Sequence, residues 1–133
     1  MSVRASFGVA LALLLSGPAV AQEDGRALYL QHCASCHGAE LEGQPDWRSP
    51  RPDGTWPAPP HSAEGHTWHH PDAMLLDYVR RGGQAVLDDM GVEFASGMPG
   101  FEGVLAEAEI EAILDYVKST WPEEVRSAQE ARQ

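Results

Sequence analysis

The stretch Cys33-Ala34-Ser35-Cys36-His37 contains the only two cysteines of this 133-residue chain and places a histidine directly after the second one. Two thiols at this spacing, followed by an imidazole, are typical of covalent attachment of a c-type haem. Each thiol can form a thioether with one vinyl group of the porphyrin, and the adjacent histidine can then bind the iron. Two other interpretations remain open at this point: a redox-active dithiol in a βαβ setting, and a zinc site with further ligands elsewhere.

The first 21 residues have the composition of a secretory signal peptide. Arg4 precedes an apolar run at residues 9–15, and Ala19-Val20-Ala21 has the form of a processing site. The apolar run is shorter than the ~20 residues that span a bilayer. We therefore expect residues 1–21 to be removed, residues 22–133 to form one periplasmic domain, and no membrane span to remain after cleavage.

Export also bears on the two cysteines, because exported cysteines usually form disulfides. A bridge between Cys33 and Cys36 would close a very small loop. Closing so small a loop removes little entropy from the unfolded chain. A purely structural disulfide is therefore a poor explanation of the motif.

The chain is strongly acidic, with a formal net charge of −11 from 20 acidic and 9 basic residues. This charge argues against nucleic acid and anionic membrane surfaces as partners. It is compatible with steering towards a partner protein with a basic docking surface. It is equally compatible with acidity that only keeps an exported protein soluble.

Three segments have the patterns of α-helices, and no segment of useful length alternates as a strand would. Residues 24–32 predict a first helix with Asp24 as its N-cap. Residues 71–81 predict a middle helix that ends at Gly82, and residues 107–120 carry apolar side chains at helical spacing. The sequence therefore predicts an all-α domain that contains these three helices.

Gly25 is unexpected inside a helix, where glycine costs ~1 kcal/mol relative to alanine. A close approach of another backbone would explain it. We expect the first and last helices to cross here, with Gly25 giving room for Ile113 and Tyr116.

The segments between and after the helices differ in character. Residues 45–60 are rich in proline but include Trp47 and Trp56, so we expect an ordered loop that wraps against an apolar surface. Residues 24–121 then form the core of the domain. The charged tail at residues 122–133 follows a helix-breaking proline, and we expect it to be frayed.

A haem bound by one histidine has a second axial position to fill. Met98 is the preferred ligand because glycines at 97 and 100 allow close approach and Pro99 stiffens the loop. Met74 on the middle helix is better explained as core packing. The other methionine and histidine candidates are Met90, His32, His61, His66, His69 and His70.

These parts occur in the order found in the class I cytochrome c family, which the sequence resembles over residues 24–121. The motif at Cys33–His37 and the Met98-Pro99-Gly100-Phe101 loop lie between matching helices. The segments Leu41-Glu42-Gly43-Gln44-Pro45 and Gly65-His66-Thr67-Trp68-His69-His70-Pro71 are similar to those of an exported bacterial monohaem branch.

The resemblance implies a cytochrome c-like fold, in which three main helices and long loops surround one covalent haem c, with thioether bonds to Cys33 and Cys36. It implies His37 as the proximal iron ligand and Met98 as the distal one. The implied function is one-electron transfer rather than catalysis. The family's usual partners are respiratory complexes and periplasmic reductases, but the sequence identifies neither the electron donor nor the acceptor.

Two positions depart from the family pattern. Ala106 stands where the family often has a capping Ser or Thr, so we expect the last helix to lack a side-chain cap. Gly100 stands where the family commonly has Ala, and we expect a looser Met98 loop as a result.

The segment at residues 65–70 has three interpretations. The indole of Trp68 and an imidazole such as that of His69 could donate hydrogen bonds to buried haem propionates. The histidines could form an accessory copper or zinc site. They could also be ordinary surface residues. Two rival functions therefore stay open: a haem-based sensor or small haem enzyme with an open iron site, and a copper-handling module that uses His61 to His70.

Overall fold

The computed structural model describes residues 18–133. In this part of the chain there are α-helices and one 3₁₀ turn at Thr67–His69, but no β-strand. The helices are α1 (Pro18–His32), α2 (Ala34–His37), α3 (Asp72–Arg81), α4 (Gly83–Asp89), α5 (Glu107–Ser119) and α6 (Glu123–Glu130). The predicted all-α class is therefore confirmed. Among these helices, none has the length and apolar character that crossing a bilayer requires.

Helices α1 and α5 cross at Gly25, as predicted. A Cβ atom at this position would collide with the backbone carbonyl of Ala112 and would lie 3.0 Å from Cβ of Tyr116. Tyr116 was expected at the crossing, whereas the tightest contact is made by Ala112 rather than by Ile113. One turn further on, the ring centroids of Tyr29 and Tyr116 lie 5.5 Å apart, and Tyr29 is 0% exposed.

The hydrophobic core forms where these two helices meet the loops. Its apolar side chains are excluded from water, which is the main favourable term in folding. The buried members are Tyr29, Leu41, Leu105, Ile110, Ile113, Val117 and Trp121. Leu76, Val79 and Phe101 pack against this cluster while remaining partly buried. The core therefore connects α5 to the predicted middle helix and to the loop that follows Met98.

The helix ends differ in part from the predictions. Asp24 is not an N-cap, because α1 already begins at Pro18 and continues through it; the alanines before it are good helix formers. Residues 1–17 of the predicted signal peptide lie outside the described residues. Ala106 has no side-chain cap, as expected, but its N–H donates to the Glu109 carboxylate at 2.8 Å. This bond is one half of a capping box.

The prediction of a frayed tail is wrong. Residues 123–130 form α6, and the side chain of Gln129 is 0% exposed. Its Nε2 donates to the His70 carbonyl at 3.2 Å and to Oδ1 of Asp72 at 2.6 Å. Lys118 Nζ contacts the same carboxylate at 2.7 Å. The tail is ordered by the His70 carbonyl and by Asp72, which lie more than fifty residues from Gln129 in sequence, so no local pattern indicates these contacts.

The middle of the chain is also more helical than expected. Helix α3 follows Pro71 and ends before Gly82, whose φ of +86° suits glycine. The chain then enters α4, which was not predicted from the sequence because it is only seven residues long. Val86 and Leu87 of this short helix are buried.

The proline-rich loop is held by hydrogen bonds at both ends. Gln44 N donates to the Ala58 carbonyl at 2.9 Å, and Trp56 N donates to the Ala95 carbonyl at 3.2 Å. The ring of Trp56 stacks on Phe94 with a centroid separation of 4.9 Å. The loop thus wraps against an aromatic side chain and connects the first half of the domain to the Met98 segment.

Candidate functional site

The two cysteines lie on one turn of helix directly after α1. The amides of Cys36 and His37 both donate to the Cys33 carbonyl, at 3.1 and 2.9 Å. Residues three apart on a helix share a face. Both thiols are free, with Cys33 partly buried and Cys36 exposed. The turn therefore presents two thiols to the same side and the following imidazole beside them.

The protonation of Cys33 argues against a redox dithiol. Burial raises the pKa of the Cys33 thiol to about 11, and the neighbouring Cys36 adds to the rise. Thiol–disulfide exchange depends on a thiolate, and reactive cysteines have a lowered pKa. A helix rather than a strand also precedes the motif. The structure thus lacks both features of the dithiol alternative.

His37 is buried, and one nitrogen of its ring is hydrogen-bonded to the backbone. Its Nδ1 atom lies 2.9 Å from the Pro59 carbonyl oxygen. A carbonyl oxygen can only accept, so Nδ1 carries the proton and Nε2 of the neutral ring has a free lone pair. Burial lowers the pKa of His37, opposed by the bond to Pro59, so the neutral form is favoured. A neutral imidazole with one nitrogen fixed in this way is the usual form of a metal-binding histidine.

Further bonds fix the backbone on both sides of His37. The Tyr29 hydroxyl donates to the Gly38 carbonyl at 2.8 Å, and burial raises the pKa of this hydroxyl, which keeps it a donor. Gly43 N donates to the His37 carbonyl at 2.7 Å. The core residue Tyr29 thus ties the motif to the α1–α5 crossing.

The Met98 loop is clamped to the end of α3 by its backbone. Gly83 N donates to the Met98 carbonyl at 3.1 Å, and Phe101 N donates to the Val79 carbonyl at 2.9 Å. Met98 N in turn donates to the Ser96 hydroxyl at 3.2 Å. Met98 itself is partly buried. These bonds hold the loop that carries the predicted distal ligand.

The expectation that Gly100 loosens this loop is wrong. A Cβ atom at Gly100 would lie 2.7 Å from the Arg81 carbonyl carbon and 3.0 Å from the Arg80 carbonyl oxygen. The absence of a side chain therefore allows the loop to pack against the last turn of α3. Glycine here tightens the contact rather than weakening it.

The segment at residues 65–70 makes contacts within the protein. The Trp68 indole donates to the Ala63 carbonyl at 3.1 Å, and its ring stacks on His69 with centroids 3.8 Å apart. The rings of His66 and His70 lie edge to face at 5.6 Å. The propionate contacts of Trp68 and His69 stay a prediction. Among residues 18–133, no three His, Cys, Asp or Glu side chains are grouped so as to hold a metal ion.

Two contributors to the site could not be predicted from the sequence. The contact of Pro59 is made by a backbone carbonyl, so no side-chain type signals it. His61 was considered only as a ligand, but its ring stacks on His37 with centroids 4.0 Å apart. Its position beside His37 could not be found from spacing alone, because the 23 intervening positions form a loop without regular periodicity.

The residues present fit a c-type haem. Two thiols on one helical face can form the two thioether bonds, and the neutral His37 offers a free Nε2 as an axial donor. Helix α3 carries the apolar residues Leu75, Leu76 and Val79, and these side chains are only partly buried by the protein. They suit an apolar ring that lies against this helix.

Comparison with known proteins supports this assignment. A family model described as Cytochrome c matches residues 22–121, which is more than half of the 133-residue chain. No curated protein and no solved structure matches the chain. The match includes the Cys33–His37 motif, α3, the Met98 loop and α5, and it ends before α6. The chain therefore belongs to the cytochrome c family, and its cofactor is a covalently attached c-type haem.

Proposed function

We propose that this protein is an exported, periplasmic one-electron carrier with a single haem. In this proposal Cys33 and Cys36 form the thioether bonds, His37 is the proximal iron ligand and Met98 the distal one. Membership of the cytochrome c family supports a haem-based electron carrier. The observation that carries the ligand assignment is the bond between His37 Nδ1 and the Pro59 carbonyl, because it leaves Nε2 as the free donor.

The proposed ligands suit reversible electron transfer. The haem iron supplies a one-electron couple between ferric and ferrous states, and histidine with methionine favours the ferrous state. Neither the neutral imidazole of His37 nor the thioether of Met98 brings a negative charge to the iron. The ring of His37 is bound to the Pro59 carbonyl, and the backbone of Met98 is bound to Gly83 and Ser96, which limits the movement of both residues when the charge changes.

The main rival is a haem-based sensor or a small haem enzyme. Such a protein needs an iron position that is open or easily opened to a small molecule. The Met98 loop is bound to Gly83 at the start of α4, and Gly100 packs against the last turn of α3. This favours the carrier, because a thioether on a fixed loop competes with external ligands. The copper-handling alternative has less support, because the described histidines form no group of three.

Absorption spectra distinguish the carrier from its rival. We expect the ferric protein to show the weak charge-transfer band typical of methionine–iron ligation, and the ferrous protein to leave its spectrum unchanged under carbon monoxide. Met98→Ala should keep the covalent haem, lose the band, lower the reduction potential and bind carbon monoxide. Met74→Ala and Met90→Ala are matched controls that should keep the band. Rapid binding of carbon monoxide by the unchanged protein would support the sensor or enzyme instead.

The export and partner assignments need separate measurements. Fractionation of cells should recover a haem-bearing chain that begins at residue 22 in the periplasm. The net charge of −11 supports a partner with a basic docking surface. Electron transfer to that partner should then slow as salt is added, because salt screens attraction between the two surfaces. A rate that is independent of salt would reject a charge-steered partner.

A further inference from the structure

His61 lies directly behind the imidazole of the proposed proximal ligand. The two rings stack with centroids 4.0 Å apart and an interplanar angle of 23°. On another side, His61 meets Tyr29 nearly edge to face, with centroids 6.4 Å apart and an angle of 72°. The ring of His61 is thus placed between the core aromatic Tyr29 and the face of His37.

The position of His61 is set by bonds to three different parts of the chain. Its backbone N–H donates to the Leu41 carbonyl at 2.9 Å, and its own carbonyl accepts from the Trp121 indole at 2.7 Å. Its ring Nδ1 lies 2.8 Å from the Thr67 hydroxyl. Because both backbone groups and one ring nitrogen are bound, this side chain is a fixed surface rather than a mobile one.

The bond from His37 to Pro59 alone does not determine the plane of the His37 ring. Rotation about the bond that joins an imidazole to its Cβ has broad preferences, so a histidine ring can rock about a single hydrogen bond. A flat group against one face restricts that rocking. Pro59 and His61, two residues apart in sequence, therefore restrain the edge and the face of the same ring.

We propose that His61 is a positioning residue that fixes the ring plane of His37 by stacking against its face. The proposal rests on the role of His37 as the proximal haem ligand. Groups that contact a metal-binding histidine commonly set its tautomer and orientation, and their loss is felt at the metal.

The surroundings of His61 agree with a positioning role better than with the other roles considered for it. An imidazole that is partly withdrawn from water costs free energy unless it is hydrogen-bonded, and for His61 the Thr67 hydroxyl supplies that bond. His61 belongs to no group of metal-binding side chains among the described residues. Its contacts with Tyr29 and His37 also separate it from the exposed His66 and His69.

The test compares His61→Leu, His61→Phe and Thr67→Val in the haem-bearing protein. The orientation of an axial imidazole sets the asymmetry of low-spin ferric iron, which paramagnetic resonance and the proton shifts of the haem methyl groups report. We expect His61→Leu to broaden the resonance spectrum and change the spread of methyl shifts. His61→Phe, which keeps a flat ring, should restore most of the original pattern. Thr67→Val should give a smaller change in the same direction as His61→Leu.

The control is His66→Leu, which removes an exposed imidazole and should leave both spectra unchanged. Methyl shifts and resonance spectra of His61→Leu that match those of the unchanged protein would overturn the proposal. If His61→Leu fails to retain haem, Thr67→Val decides, and unchanged spectra in that variant would equally overturn it. Failure of the proposed ligand set is distinguishable, because it would appear in the unchanged protein as absence of the methionine–iron band.

Discussion

Nδ1 of His37 lies 2.9 Å from the carbonyl oxygen of Pro59, a residue 22 positions further along the chain. This contact assigns the proton of a buried neutral imidazole and directs its other nitrogen away from the loop. Cys33 and Cys36 lie on the turn that leads into the same histidine. The haem-binding motif is thus completed by a loop that lies outside it.

Removal of the two thiols tests where the cofactor is attached. Either Cys33→Ala or Cys36→Ala should leave the haem bound through one thioether, because each cysteine reacts with a separate vinyl group. The double variant should have the mass of the polypeptide alone after acid extraction. Mass spectrometry of the extracted chains measures this directly. Covalent haem in the double variant would show that attachment does not depend on these residues.

Gly25→Ala tests the crossing of α1 and α5. The new Cβ would collide with the Ala112 carbonyl, so the helices must move apart. We expect the free energy of unfolding to fall by ~1–3 kcal/mol, the usual cost of overpacking, even though alanine is the better helix former. Denaturant unfolding measures the change. Arg26→Ala, at the neighbouring exposed position of α1, is the control; equal effects of the two substitutions would argue against a close crossing.

Gly100→Ala tests the contact between the Met98 loop and α3. The added Cβ would lie 2.7 Å from the Arg81 carbonyl carbon, so the loop must move away from the helix. We expect the methionine–iron band to be lost at a lower denaturant concentration or a lower pH extreme than in the unchanged protein, while the haem stays covalently attached. Loss of the band at the same denaturant concentration and pH as in the unchanged protein would mean that the loop accommodates the methyl group without moving.

Gln129→Ala tests whether α6 contributes to the folded domain. The substitution removes the donor to the His70 carbonyl and one of the two donors to Asp72, which keeps its contact with Lys118, and the loss of such partners costs ~1–3 kcal/mol. We expect the free energy of unfolding to fall within that range, with the haem spectrum unchanged. Ser127→Ala, on the exposed side of the same helix, should have little effect. Equal stabilities of the Gln129 variant and the unchanged protein would contradict a contribution of α6 to the folded domain.

The imidazole of His70 predicts a pH dependence of stability. Partial burial lowers its pKa below the ordinary histidine value, and the nearby His66, His69 and Arg132 add to this. Below the ordinary value the unfolded chain takes up a proton that the folded chain resists. The contribution of His70 to stability is therefore complete above that value and declines as the pH falls through it.

His70→Asn isolates this contribution from other acid effects. Unfolding at about pH 7.5 and about pH 5.5 should show a smaller loss of stability in the variant than in the unchanged protein. The carbonyl of residue 70 still accepts from Gln129 in the variant, so the α6 contact is kept. Identical losses in the two proteins would show that His70 titrates alike in the folded and unfolded chains.

Several elements could be predicted because their signals are local. Helix α3 lies between a proline and a glycine, α5 carries Ile110, Ile113 and Val117 at helical spacing, and Gly25 marks the crossing point. Helix α6 could not be predicted, because Gln129 is a polar residue whose burial depends on Asp72 and the His70 carbonyl. The close contact of Gly100 with the end of α3 could not be predicted either, since glycine is equally suited to a loose loop.

The amino-acid sequence by itself predicted the covalent haem and the helical class of the domain. The proposed thioether attachment needs only Cys33, Cys36 and a neighbouring histidine, and these lie within one turn of chain. Tertiary structure alone decided how His37 is held. Its proton is assigned by the Pro59 carbonyl and its face is covered by His61. Both contacts come from a distant loop that reaches this place only when α1, α5 and the core have packed.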